Sequence, residues 1–371
     1  MQDIIIVGGG LAGLTAAIHL AKEKHKVLLF EKQQYPHHKV CGEYVSNEII
    51  PYLNHLGVHT EKAVRINTLQ FSTQTGKTIT TKLPLGGIGI SRYAFDEILY
   101  NRAIALGVVF VFNSVTKVTF TENTFTVEDA IQKKYNAKIV IGAYGKRATL
   151  DKVLQRDFIN EKSSWLGVKA HYALANFPDH LVGLHNFRGG YGGLSKTENG
   201  NINFCYLANY KSFKSYKDIN DFNNKVVSKN PHLNTFLNTA TPLFEKPLTI
   251  AQISFSQKLA VENHMLMCGD TAGLIHPLCG NGMAMAIHSA KLASELISDY
   301  LSDTTKSRLS LEINYKKQWD KAFKKRLWMG RQLQTLLLKE NLSTIAMQTV
   351  ARSPKLLKTL IKQTHGKPVL C

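Results

Sequence analysis

Three glycines spaced Gly8-x-Gly10-x-x-Gly13 stand between a wholly apolar run, Ile4–Val7, and a segment of helical character, Leu14–Lys22. A short unbroken apolar run predicts a strand buried on both faces, as in a parallel sheet. In such a strand–turn–helix unit each glycine has its own task. Gly8 permits a tight turn, Gly10 lets the backbone approach a pyrophosphate, and Gly13 lets the helix lie close to the strand. Leu11 and Ala12, between them, open the helix, whose positive end then faces the phosphates. A second buried strand, Val27–Phe30, ends at Glu31-Lys32, and Glu31 lies 18 residues after Gly13. A carboxylate at that point can accept hydrogen bonds from ribose hydroxyls. The opening therefore predicts a Rossmann-type α/β domain that clasps a dinucleotide and starts at the first residue.

The rest of the chain predicts how that domain is completed. Asn67–Leu83 alternates and is rich in Thr, the pattern of antiparallel strands. Tyr93–Gly107 reads as a helix, and Val108–Phe112, Val115–Val127 and Lys138–Ile141 read as strands. After about Ser163 the pattern changes. Trp165–Ala175, Leu181–Phe187, Gly192–Ser195 and Asn201–Ala208 predict an antiparallel sheet, with Ile219–Leu237 as one helix. Met265–Cys268 is again a buried strand, and Gly282–Leu301, Leu311–Lys339 and Thr344–Gln363 are helical. The expected organisation is residues 1–162 as the first part of the nucleotide-binding domain, with a strand-rich insertion at about 67–90. Residues 163–260 form an antiparallel β substrate domain, 261–303 close the nucleotide-binding domain, and 304–371 form a basic helical end.

Charge is concentrated in that end. The chain carries +19 overall, and residues 305–371 hold 15 Lys or Arg against 3 Asp or Glu. The basic residues alternate with an apolar helical pattern, which fits the solvated face of helices. Contact with an anionic membrane surface is a second reading; a nucleic-acid partner is not expected. Five cysteines, an odd number with no zinc-site spacing, predict free thiols in a cytoplasmic protein, at most peripheral to the inner face of the membrane, and no bound metal. No apolar stretch is long enough to span a bilayer.

Later motifs bring a resemblance. Gly269-Asp270-Thr271-Ala272-Gly273, His276-Pro277 and Gly280-Asn281-Gly282-Met283 resemble the second cofactor motif of the flavoprotein superfamily of aromatic hydroxylases (class A flavin monooxygenases) and geranylgeranyl reductases. The resemblance runs over the whole chain. It implies FAD on a glutathione-reductase-like, para-hydroxybenzoate-hydroxylase-like fold. Asp270 would meet the ribityl chain, and Pro277, Gly280, Gly282 and Met283 would lie along the flavin ring. Ser91-Arg92 with Asp96 resembles the family's arginine near the FAD phosphates. Lys39-Val40-Cys41-Gly42-Glu43 resembles the stretch beside the flavin, where a reductase thiol lies by the reactive ring. Cys41 is thus a candidate proton donor, and Gly42 and Glu43 candidate cofactor contacts.

Gly142-Ala143-Tyr144-Gly145 departs from the family, which has Asp where Tyr144 stands. Gly145 remains a cofactor contact, while the usual mode of NADH or NADPH contact is put in doubt. Gly189-Gly190-Tyr191-Gly192-Gly193-Leu194 takes the place of the reductases' aromatic motif, making Tyr191 a candidate cavity residue. The paired-Trp signature of flavin halogenases is absent. His276 is a candidate base, and His171 and His185 read as core or edge histidines. The resemblance implies an oxidoreductase fed by NADH or NADPH. A monooxygenase is favoured, acting on a small hydrophobic or aromatic substrate (a polyketide or phenolic lipid) with molecular oxygen through a flavin C4a-hydroperoxide. Reduction of a carbon–carbon double bond in an isoprenoid lipid is the alternative, and a non-catalytic flavin-binding protein a lesser one.

Overall fold

The computed structural model describes residues 1–161, 163–276, 280–338, 346, 348–350 and 352–370. Along the chain the elements are β1 (Gln2–Val7), α1 (Leu11–Lys22), β2 (Val27–Phe30), β3 (Tyr44–Ser46), α2 (Ile50–His55), β4 (Val64–Ser72), β5 (Thr78–Gly89), α3 (Arg92–Ala105), β6 (Val109–Val111), β7 (Val115–Thr121), β8 (Thr124–Asp129) and β9 (Lys134–Gly142). Then come α4 (Thr149–Val153), β10 (Trp165–Ala173), β11 (Leu181–Phe187), β12 (Gly190–Lys196), β13 (Ile202–Asn209), α5 (Tyr210–Lys214), α6 (Ile219–Lys225), α7 (Pro231–Thr239), β14 (Thr241–Pro242), β15 (Leu248–Ala251), β16 (Val261–Glu262), β17 (Met265–Met267), α8 (Gly282–Ser302), α9 (Arg308–Leu338) and α10 (Pro354–Thr364).

Two sheets carry the molecule. The first runs β16-β17-β9-β1-β2-β6, with the β7–β8 hairpin joined to β9. Its core strands β17, β9, β1, β2 and β6 are mutually parallel. Ile4, Ile5 and Ile6 are fully buried at its centre, as an apolar run between crossover helices requires. The closing strand β17, more than 250 residues after β1 in the chain, pairs with β9 at Leu266↔Ile141. The head and the late motif therefore share one sheet.

The second sheet runs β14-β10-β13-β12-β11-β4-β5-β3, with β15 on β10. The Thr-rich strands around residue 70 lie in it: β4 pairs in parallel with β11, from Leu181↔Thr68 to His185↔Ser72. They extend the sheet formed by residues 165–209, so the second sheet is assembled from both stretches.

The helix expected over Ile219–Leu237 is two helices. Asn230 takes an extended conformation before Pro231, and its side chain accepts from the His232 and Leu233 amides. A proline restricts the residue before it and suits the first helical turn, so the Asn-Pro pair ends one helix and starts the next. Ser353-Pro354 starts α10 the same way. The first part of the expected Thr344–Gln363 helix falls partly outside the described residues.

Candidate functional site

One cavity of about 1300 Å³ joins the two sheets. Val7, Gly8, Gly10, Leu11, Ala12, Glu31 and Lys32 line its first end, where β1 gives way to α1. Here the backbone is shaped by what a side chain would hit. Gly8 has φ +107°, and a Cβ there would lie 2.4 Å from the Ala143 carbonyl oxygen. A Cβ on Gly13 would lie 1.9 Å from the Gly8 oxygen. Gly10 is different: the nearest atom to its Cβ would be an Arg92 nitrogen at 3.9 Å, so its face is open to the cavity. α1 has no side-chain cap at Gly10, which leaves its first amides for a ligand. Glu31 Oε2 accepts from the Gly9 amide at 2.9 Å, and Tyr35 donates to the Gly9 carbonyl at 2.6 Å, so the glycine loop is braced from behind. An open glycine face, free helix amides and a carboxylate at the end of β2 are the features an adenine dinucleotide needs, and the residues fit FAD.

The late motif forms the facing wall. Gly269, Asp270, Gly280, Gly282 and Met283 line the cavity with Tyr144 and Gly145; Pro277 lies outside the described residues. This wall is tied down by groups the sequence reading did not single out. Gly145 donates to Thr271 Oγ1 at 2.7 Å, and Gly269 to Ser289 Oγ at 2.8 Å. Buried Lys258 donates to the carbonyls of Lys146 (2.7 Å) and Asp270 (2.9 Å), and its pKa is lowered to about 8 by burial. Buried Arg156 binds Asp151 and Glu262 at 3.0 Å each and the Thr271 carbonyl at 3.0 Å. Its Nη1 also reaches the Tyr144 hydroxyl at 3.5 Å, so Tyr144 joins a cationic hub where the family pattern has a carboxylate.

Between the cradle and the second sheet lies a dense ionic cluster. Glu43 is fully buried with φ +55°, a left-handed conformation uncommon for a residue with a Cβ. Its carboxylate accepts from Lys169 Nζ, from the Arg92 amide at 2.7 Å, and pairs with His171 Nε2 at 2.7 Å. Burial pushes its pKa up, yet the bonds and charges of His171 and Lys169 outweigh that and hold it below the usual carboxylate range. Arg92 forms a two-point bond with buried Asp96 at 2.7 Å, and Lys39 adds a third at 3.0 Å. His38, Glu43 and His171 bring one donor atom each within 4.8 Å of one another. Lys169 already neutralises that carboxylate, so the charge balance disfavours a cation there.

This cluster positions the loop before it. Cys41, Gly42, Glu43 and Arg92 all line the cavity. Asn203 Nδ2 donates to the Cys41 carbonyl at 3.2 Å and Ser195 Oγ to that of Gly42 at 3.4 Å, clipping the loop onto β13 and β12. His171 is buried, as expected of a core histidine, and through Glu43 it also supports the site. Lys169 was missed, although a lysine within the apolar run Trp165–Ala170 was the available signal. His185 is held behind the sheet by Ser72 at 2.9 Å.

Beyond Cys41 the cavity turns apolar. Tyr191 is buried in β12 and lines it. His276 is absent from the lining. It is packed among Trp165, Tyr191 and Phe255, with ring centroids 5.8, 5.9 and 5.0 Å away, and burial lowers its pKa to about 3. An imidazole buried off the cavity, with its pKa so lowered, fits a packing role better than that of the candidate base. Gly42 and Gly193 also line the cavity. A Cβ would meet nothing within 4 Å at Gly42 and nothing nearer than 3.6 Å at Gly193, so bare backbone borders open space at both. The cavity is also lined by Leu69, Phe71, Leu83, Val182 and Leu184 of the second sheet and by Leu357 and Ile361 of α10, which form an apolar limb.

The first residues, 3–40, match the family model "FAD dependent oxidoreductase". The digeranylgeranylglycerophospholipid reductase of Methanococcus vannielii is 25% identical, with 96% of each chain covered. Among solved structures, the flavin-dependent brominase Bmp2 superposes with a TM-score of 0.80 at 15% identity, covering 98% of this chain and 93% of its own. PqsL of Pseudomonas aeruginosa, described as a probable FAD-dependent monooxygenase, superposes with a TM-score of 0.75 at 14% identity, covering 94% and 99%. The dinucleotide cradle and the family match at its head mark the chain as an FAD-dependent oxidoreductase. Its curated relatives include digeranylgeranylglycerophospholipid reductases, and its fold is that of the flavin-dependent brominase and of PqsL.

Proposed function

We propose that this chain is a monooxygenase that hydroxylates the aromatic head of a phenolic lipid. The carrying observation is the lining of the large cavity: a cradle for FAD, open glycine backbone at Gly42 and Gly193, and an apolar limb. A planar ring suits the room left by the glycines, and an alkyl tail suits the limb. FAD, when bound, would carry electrons from NADH or NADPH and activate molecular oxygen. Gly8, Gly10, Leu11, Ala12, Glu31 and Lys32 would hold its adenosine and phosphates, with Arg92 near the latter and Gly13 setting the helix against the strand. Gly145, Gly269, Asp270, Gly280, Gly282 and Met283 would flank its other half. The Glu43–Lys169–His171 cluster fixes the Cys41-Gly42 loop, and the apolar limb keeps water from the reacting ring. The test supplies a long-chain alkylphenol, NADH or NADPH and isotopically labelled oxygen. One labelled oxygen atom should appear in the product; turnover undiminished without oxygen would sink the proposal.

A second reading, reduction of a carbon–carbon double bond in an isoprenoid lipid, is favoured by one observation. Cys41, partly exposed, lines the cavity where a proton donor would be needed, and the Methanococcus relative bears a reductase name. Anaerobic loss of a double bond, slowed in Cys41→Ala, would favour it.

A further inference from the structure

We propose that α10 is a membrane-seated roof: its outer face binds an anionic lipid bilayer, and its inner face covers the limb through which a lipid substrate arrives. The inference rests on the lipid-substrate reading above, and names where that substrate comes from.

The two faces of α10 differ in kind. Leu357 and Ile361 are 6% and 7% exposed, sit against Leu69, Phe71, Leu83 and Val182, and line the cavity. Lys355, Lys358 and Lys362, at spacings of three and four, are exposed, and no acidic residue occurs in the helix. Leu356, at the cavity and 37% exposed, lies between these faces. With its apolar face spent on the protein, what α10 offers outward is a lysine row, which an anionic bilayer surface attracts.

The neighbouring helix repeats the theme. On α9, which packs against α10, Lys321, Lys324 and Lys325 lie with Trp328 at spacings of three, four and seven, which places them on one helix face. All four are exposed, and Trp328 is 51% so. An exposed tryptophan beside lysines suits a headgroup layer, where an amphipathic ring has one apolar and one wet side. A polynucleotide would give no use to Leu356 or to an apolar limb under the same helix.

The roof is also clipped at its far end. Glu48, buried beside α2, binds Arg326 of α9 at 3.3 Å and accepts from the Gly366 amide after α10, while its carbonyl accepts from Val369 at 2.6 Å. The C-terminal end of α10 is thereby fixed over the limb.

The experiment uses the full flavin-loaded chain with vesicles of phosphatidylcholine, with and without one third phosphatidylglycerol, in co-sedimentation. Binding should rise at least tenfold with the anionic lipid and weaken with added salt. The variant Lys355→Gln/Lys358→Gln/Lys362→Gln should lose about fivefold per lysine. Trp165 and Trp319 are buried, so a blue shift of tryptophan emission on anionic vesicles would report Trp328, and Trp328→Gln should abolish it. Flavin colour and turnover of detergent-dispersed substrate in the lysine variant keep the two proposals apart. Turnover kept with vesicle binding lost supports the roof; turnover lost in wild type as well refutes only the substrate reading. Equal binding to neutral vesicles, an unaffected lysine variant, or tight binding of an oligonucleotide without vesicle binding would overturn the inference.

Discussion

The two ends of the cavity are built from different materials. At the cradle, shape is set by backbone: a Cβ on Gly8 or Gly13 would collide with a carbonyl oxygen within 2.4 Å. At the limb, shape is set by side chains of β4, β5, β11 and α10, none of which is constrained by its own neighbours in sequence. A backbone site tolerates almost no substitution and can be recognised anywhere. A side-chain site can be rebuilt residue by residue, which allows one scaffold to take many substrates.

The largest effect expected separates two glycines in one motif. Gly8→Val puts a branched side chain against Ala143 in a left-handed conformation, and should leave no folded protein. Gly10→Val meets only open space, so the protein should fold, with a melting temperature near that of the flavin-free wild type, yet stay colourless. Thermal melts followed by absorbance would decide it; a yellow Gly10→Val protein would break the contrast between a structural and a ligand-facing glycine.

That contrast also explains what the sequence disclosed. β1, the glycine turn and Glu31 lie within 31 residues and act through backbone geometry, so the pattern alone predicted them. Gly269–Met283 was legible through its resemblance to a flavoprotein motif. The limb was not, because Leu69, Val182 and Leu357 look like any core leucine or valine until three distant segments meet. The pairing of β4 with β11 was equally hidden, since strand alternation announces a strand and is silent about its partner. Arg156 and Lys258 gave no local signal at all; a basic residue in a loop reads as solvated, and only the fold buries it.

The ionic cluster joins the two ends, and the next prediction loosens that joint. Glu43→Gln keeps the shape and removes the charge, stranding the fully buried Lys169 ammonium. Breaking a buried pair costs about 3–5 kcal/mol. Chemical denaturation should show that loss, and adding Lys169→Met should restore most of it. A single variant as stable as wild type would mean that the pair does not hold the Cys41-Gly42 loop to the second sheet.

Acid should act on the core behind both ends. Burial lowers His276 and His185 to about 3 and His19 to about 4. Each folded value lies below the unfolded one near 6.5, so the unfolded chain binds more protons between the two. The stabilisation from keeping these rings neutral is therefore complete above about pH 6.5 and is lost as pH falls. Each ring would contribute a slope of about 1.4 kcal/mol per pH unit at most. Melting temperature should drop from pH 7 to pH 5, and less so in His276→Asn; a flat profile would mean that these rings are hydrated.

The smallest change in stability should come with the sharpest change in selectivity. Leu356 lines the limb on α10 and is 37% exposed, so it borders open space there. Leu356→Trp should fill that space while leaving the cradle, some distance along the cavity, untouched. Overpacking a site with room in it should cost little, under about 1–3 kcal/mol. Flavin content should be unchanged, and a short-chain phenol should keep its kcat/KM. A long-chain phenol should lose about 10–100-fold, because several methylenes, each worth about 0.8 kcal/mol of burial, no longer fit. Equal losses for short and long chains would place the tail elsewhere and erase the division of the cavity into a backbone-built end and a side-chain-built one.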